Sequence, residues 1–239
     1  MKKIYVITLA LILSGVISEN TLAQTAGVNL TLAFPRGNFY ANNKTTGIGG
    51  SLEGMFLTAK AGAVSYGLGG NVSFFTFGSE GREAAFSNTI PDVTVDVDRS
   101  YNLMNFHAML RLSTNNTLVR PYADVLLGAS YLYTSTTVRN QLSGEEVTSS
   151  TNFDDFAWSY GAGAGVMIKV YSPKNEGDIP VWLDIKMRYL VGTEADYIKK
   201  GGVKVDAANG KVSYDITTSE TDILTFNIGV SIPFSMTNL

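Results

Sequence analysis

The chain has 239 residues, 45% of them hydrophobic and 16% charged, and a net charge of −3, so it offers no basic field to hold DNA or RNA. It has no cysteine, which excludes disulfide scaffolds, thiol catalysis, cysteine-zinc sites and an acylated N-terminal cysteine. Its single histidine excludes a histidine-cluster metal site, and neither a metal nor a cofactor is expected.

Lys2 and Lys3 precede an apolar run from Ile4 to Ser18, and Thr21 and Ala23 occupy the small-residue positions of a cleavage site. This predicts a secretory signal peptide over 1–23, because a spanning helix needs about 20 apolar residues. From residue 24 to 239 no linker or composition break appears, which predicts one domain.

Within 24–239 the apolar residues recur every second position, the period of a strand. The predicted strands are 27–34, 48–57, 65–77, 101–112, 119–133, 156–170 and 181–191, followed by a last one through Leu224, Phe226, Ile228, Val230 and Ile232 to Phe234. The alternation is weakest in 48–57, where Met55 and Leu57 fall on the polar side. Connections near 58–64, 113–118 and 171–180 are short and turn-rich, while those near 35–47, 78–100, 134–155 and 192–222 are long and polar. Short turns at one end and long loops at the other predict an all-β fold, an eight-stranded antiparallel up-and-down transmembrane β-barrel.

The polar face decides which side points out. A soluble barrel turns charged residues to water, but here that face is mostly Gly, Ala, Ser and Asn. The strand charges Glu53, Arg111, Arg120, Asp124, Lys169, Asp184, Lys186 and Arg188 all share the polar parity, as does His107. Arg or Lys on a lipid-facing midplane position costs roughly 2–4 kcal/mol, which accounts for their absence from the apolar face. Aromatics on that face sort to its ends, with Phe34, Phe74, Tyr131, Tyr133, Phe156, Trp158 and Tyr189 near the long loops and Phe56, Tyr66 and Phe234 near the short turns. Two such girdles mark two membrane interfaces.

With Asn227-Ile228-Gly229-Val230-Ser231-Ile232-Pro233-Phe234 closing the last strand, the pattern resembles the small eight-stranded outer-membrane barrels of the OmpA-like and OmpX-like family, over essentially all of 24–239. In that family the barrel-assembly machinery reads a polar residue, then x-Gly-x-x-apolar-x-aromatic. The resemblance therefore implies an assembly signal at Asn227, Gly229, Ile232 and Phe234, and location in the bacterial outer membrane among its lipid and lipopolysaccharide. Ser235 to Leu239 follow, whereas family members often end on the aromatic. These five residues leave no room for a peptidoglycan-binding domain, so no direct cell-wall tether is expected.

Some outer-membrane barrels are enzymes, which need a nucleophile and a base held together. His107 is the one imidazole available, and a tight 113–118 turn would set it opposite Asp124. No serine stands two residues away on its face, so the expectation is a lumen histidine bonded to a carboxylate and no catalysis. Eight strands leave an interior that side chains fill, so Glu53, His107, Arg111, Asp124, Lys169, Asp184, Lys186 and Arg188 are expected to form a charged plug. Lys186 and Arg188 should face Gly165 and Gly163, with Glu53 and Asp124 as counter-charges. Five inward cations against three carboxylates keep a narrow anion-preferring leak open as a reading.

The long loops carry whatever specificity exists. Val93, Val95 and Val97 alternate with polar residues, which extends the fourth strand above the membrane. Val203-Lys204-Val205 and Lys211-Val212-Ser213-Tyr214 flank Asn209-Gly210, a hairpin signal. An edge for β-augmentation, and contacts from Lys199, Lys200, Lys204 and Lys211 to lipopolysaccharide phosphates, are open readings of these segments beside plain solvated loops, which are the first expectation. Asp92, Asp96 and Asp98 lack the spacing and the glycine of a calcium loop. The sequence thus predicts a monomeric, non-enzymatic barrel with a structural or surface-contact role, binding an extracellular protein through its loops. The competing reading is a small pore or transporter for a hydrophobic or ionic solute.

Overall fold

The computed structural model describes residues 24–87, 90–140, 146–172, 179–205 and 212–234. The expected leader, the Asn209-Gly210 turn and Ser235 to Leu239 lie outside the described residues. The elements are β1 (Gln24–Pro35), α1 (Gly37–Asn42), β2 (Gly47–Ala61), β3 (Val64–Ser87), β4 (Ile90–Thr114), β5 (Val119–Asn140), β6 (Glu146–Tyr171), β7 (Val181–Gly192), β8 (Glu194–Val205), β9 (Val212–Glu220) and β10 (Ile223–Phe234).

Eight of these strands close a barrel in the order β1-β10-β7-β6-β5-β4-β3-β2, every neighbour antiparallel. The seam is β1 against β10, from Gln24 opposite Phe234 to Pro35 opposite Ile223. The two-residue period sorts residues in the reverse of a soluble protein. On β1, Leu30 is 74% exposed while its neighbour Asn29 is 2% exposed. An apolar exterior with closed backbone pairing is the condition for strands to sit in hydrocarbon.

β3 to β6 run well past the predicted strands. Residues 78–87, 134–140 and 146–155, expected in long loops, are strand, and the fourth strand continues through Val93, Val95 and Val97 as the alternation predicted. The reason is physical: Val95 and Val97 of β4 stay buried and keep their alternation, whereas residues 135–139 and 148–151 are partly or fully exposed on both faces, so their apolar alternation fades while their backbone pairing continues. The hairpin predicted around 203–214 is present as β8 and β9, with Val203 opposite Tyr214 and Val205 opposite Val212. The 35–47 connection holds α1, which sequence periodicity did not reveal because the helix is only six residues long.

Two local features correct the register. The 58–64 connection is a two-residue turn at Gly62-Ala63, since Ala61 pairs with Val64, and Gly62 takes φ of 60°. A glycine tolerates that left-handed conformation at no steric cost. In β2 a bulge at Phe56 shifts the pairing between Met55 and Leu57. Met55 points into the lumen and Leu57 turns back to the outside, half-exposed, so the apparent break in alternation is one extra residue.

The interior is layered. Its upper third, expected to be polar, is apolar: Phe39 of α1 meets Phe77 edge-on at 5.5 Å and Tyr197 of β8 at 5.3 Å, above Phe75, Leu103 and Leu132. Only inward-facing parity distinguishes these residues from girdle aromatics, and they seal the long-loop end. A closed ring with no free edge inside the membrane resists detergent unfolding. Unboiled protein is therefore expected to migrate differently from boiled protein on a denaturing gel, and equal mobility after verified refolding would contradict the closed ring.

Candidate functional site

Beneath the apolar layer the two-residue period of β7 sets Asp184, Lys186 and Arg188 on one inward face. The β6–β7 register puts Gly163 opposite Arg188 and Gly165 opposite Lys186. These glycines make room. A Cβ at Gly163 would lie 2.5 Å from Arg188 Cγ, and one at Gly165 2.6 Å from the Tyr122 ring and 2.7 Å from Lys186 Cβ.

Six ionic side chains, all buried, meet across the lumen. Arg188 Nη2 lies 2.6 Å from Asp124 Oδ2 and 2.9 Å from Glu53 Oε2. Arg111 reaches Asp124 at 2.7 Å and Glu53 at 3.2 Å. Lys186 Nζ sits 2.8 Å from both Glu53 and Asp184. Glu53 thus touches all three cations. Tyr122, which the sequence reading passed over, donates its hydroxyl to Asp184 at 2.5 Å and lies under the Arg111 guanidinium, 3.9 Å from it. Met109 also reaches the cluster, its Sδ 3.1 Å from Arg188 Nη2. The signal for Tyr122 was its inward parity with Asp124, two residues on.

Two of the five inward cations, Lys169 of the expected plug and Arg120, stand elsewhere. Lys169 pairs in register with Trp182, and its Nζ lies 5.0 Å from that indole centroid, while Arg120 Cζ lies 4.1 Å from the same ring. Both cations cap the short-turn end around a buried tryptophan. Without them the central cluster holds three cations and three carboxylates, and the cation excess behind an anion-preferring leak is gone.

His107 is not bonded to a carboxylate. The 115–118 connection sets a stagger in which His107 pairs with Gly128 and Arg111 takes the place opposite Asp124. His107 Nε2 lies 3.0 Å from Ser159 Oγ, and its Nδ1 meets no partner among the described residues. The pair lies between the apolar layer and the ionic layer, with no acid behind the imidazole to orient it for nucleophilic chemistry.

The other candidate region lies above the girdle formed by Phe74, Tyr131, Tyr133, Phe156 and Trp158. Here β3 to β6 continue as a four-stranded sheet with two outer edges. β2 pairs with β3 only as far as Thr76, so among the described residues no strand pairs with Ser79–Ser87 on that side; in sequence this stretch carries Glu80, Arg82 and Glu83. β7 pairs with β6 only from Ser159 downward. At the base of the β6 edge Thr193 N bonds Trp158 O, and Asp196 N bonds Asp155 Oδ2. Higher up, Thr148 to Thr151 are exposed and uncharged, between bulges at residues 147 and 152. Beside the sheet stands the β8–β9 hairpin, where Tyr197 and Ser219 share a hydrogen bond of 2.9 Å and burial pushes the Tyr197 phenol up. Lys199 lies 4.0 Å from Asp215.

The assembly-signal residues lie on the seam strand. Asn227 is buried and accepts a hydrogen bond from Thr31 at 2.7 Å, Gly229 packs against the β1 backbone, and Ile232 and Phe234 lie on the outward parity.

The sequence matches no protein-family profile and no curated protein. Among solved structures it is similar to Ail, the attachment invasion locus protein of Yersinia pestis, in a complex with the heparin analogue sucrose octasulfate. There the identity is 14%, the TM-score 0.41, and the match covers 89% of this chain and 97% of Ail. It is also similar to Neisserial surface protein A, at 11% identity and a TM-score of 0.39, over 90% of this chain and 97% of that one. Both likenesses are distant. The chain is an eight-stranded antiparallel membrane barrel.

Proposed function

We propose that this protein is a non-enzymatic outer-membrane surface-contact protein, in which a sealed barrel anchors a protruding sheet whose β6 edge binds an extended segment of an extracellular protein. The observation that carries this reading is the edge at Thr148 to Thr151, standing beyond the outer aromatic girdle with no strand paired to it on one side among the described residues. An unpaired strand edge is a template for main-chain hydrogen bonds from another chain. Edges that must stay free are usually blocked with charge, and Thr148 to Thr151 carry none. A plugged lumen supports anchoring over transport, because the apolar and ionic layers fill the interior.

The test exploits strand alternation. Successive residues point their N–H groups to opposite sides, so of Ser150 and Thr151 one directs its N–H outward. Proline at that position removes a donor from the edge and leaves the β5–β6 ladder intact. Surface binding of cells expressing Ser150→Pro and Thr151→Pro is expected to fall at least severalfold for the variant that keeps normal heat-modifiability. Unchanged binding by both folded variants would overturn the edge as the contact.

Assembly is proposed to depend on Phe234, at the end of the seam strand. Phe234→Ala keeps the alternation of β10 but removes the aromatic, and outer-membrane abundance is expected to drop with periplasmic degradation. Wild-type abundance would move the signal to the residues after Phe234.

A further inference from the structure

Resting on the edge reading above, we infer that the partner segment is cationic: a short uncharged extended stretch flanked by lysine or arginine, captured on the β6 edge. The first observation is the charge of the sheet itself. Among the described side chains of 78–100 and 134–155, the six carboxylates Glu80, Asp96, Asp98, Glu146, Asp154 and Asp155 stand against the two cations Arg99 and Arg139. Arg139 is held by Asp98 at 2.9 Å, and Arg99 is turned to Thr136 at 3.3 Å. The sheet therefore presents a net negative field, which draws a positive partner and raises its association rate.

The second observation is where the acids stand along the edge. The uncharged run Thr148 to Thr151 is bracketed by Glu146 below it in sequence and Asp154 above it, both exposed. Asp215 of β9 is already paired with Lys199 at 4.0 Å, so the bracket consists of Glu146 and Asp154. A strand added here runs its neutral centre along Thr148 to Thr151 and its two ends past acids. Opposite charges across a strand pair stabilise it and like charges destabilise it.

The same bracket argues against two other occupants. A second copy of this chain, added antiparallel through the same edge, brings Glu146 of one copy toward Asp154 of the other. A sulfated polysaccharide meets a surface of its own sign and has no backbone to pair.

The experiment uses the full barrel refolded in detergent and three biotinylated peptides with one Thr-Val-Thr-Val core, flanked by Lys-Lys, Ser-Ser or Glu-Glu. The Lys-flanked peptide is expected to bind about tenfold tighter than the Ser-flanked one, with the preference shrinking as salt rises and the Glu-flanked peptide weakest. The double variant Glu146→Gln, Asp154→Asn should lose that preference while keeping the Ser-flanked affinity. Equal affinity for all three peptides would overturn the cationic partner and leave the edge standing. No binding by any peptide would overturn the edge reading itself. Lys-flanked binding that survives the folded edge-proline variant would mean loose adsorption to acids, and would also overturn the proposal.

Discussion

Arg188→Ala is expected to lower the stability of the refolded barrel by about 3–5 kcal/mol, because it strands two buried carboxylates at once. Arg188 Nη2 contacts both Glu53 and Asp124, and its removal leaves three carboxylates facing Arg111 and Lys186 in a layer that is otherwise balanced. Glu53→Ala removes the one carboxylate that touches all three cations and should cost a similar amount. Since the two residues contact each other, the double variant should lose clearly less than the sum of the single losses. Urea unfolding in lipid vesicles measures all three. Additive losses would show that the 2.9 Å pair carries no coupling, and three wild-type midpoints would show that the layer does not hold the barrel together. Conductance in planar bilayers should stay at background for the wild type, with a narrow leak expected only where the layer is breached.

The second large effect is expected at the seam. A Cβ on Gly229 would stand 2.0 Å from Val28 O and 2.6 Å from Asn29 Cα, both backbone atoms of β1. Backbone cannot swing aside as a flexible side chain does, so Gly229→Ala must separate β1 from β10 where the ring closes. Refolding from urea into vesicles is expected to fail or to give a barrel that unfolds severalfold faster, without any assembly machinery present. Gly229 also belongs to the proposed assembly signal, and the two roles separate cleanly. A variant that refolds normally in vesicles but fails to reach the outer membrane in cells would place the glycine in recognition and not in closure. Gly62→Ala serves as a control, since its Cβ meets nothing within 4 Å and only its φ of 60° is strained.

The barrel was legible in the sequence because its cause is local and periodic. A strand with lipid on one side and a narrow lumen on the other must alternate, and Leu224 to Phe234 or the Asp184-Lys186-Arg188 face of β7 record that constraint residue by residue. Where both sides are wet, the constraint lapses, and the upper parts of β5 and β6 read as loops although they pair as strands, while β4, with Val95 and Val97 still buried, kept a readable alternation. A single inserted residue such as Phe56 breaks a parity count without breaking the strand, and only the register with Gly69 and Leu68 shows it.

Inward parity placed Glu53, Arg111, Asp124, Asp184, Lys186 and Arg188 in the lumen, but it placed Arg120, Lys169 and His107 there too and could not separate them by depth. The partnerships in the lumen were decided by the tertiary structure. Strand stagger, set by the lengths of connections such as 115–118, put Arg111 opposite Asp124, moved His107 to Ser159, and carried Lys169 down to Trp182. The apolar seal likewise depended on α1 and β8 folding back over the mouth, where Phe39 and Tyr197 meet from opposite parts of the chain. Parity along one strand follows from the pleat and is written in the residue order. Depth around a closed ring follows from how eight staggered strands are sheared against one another, and no single strand contains that information.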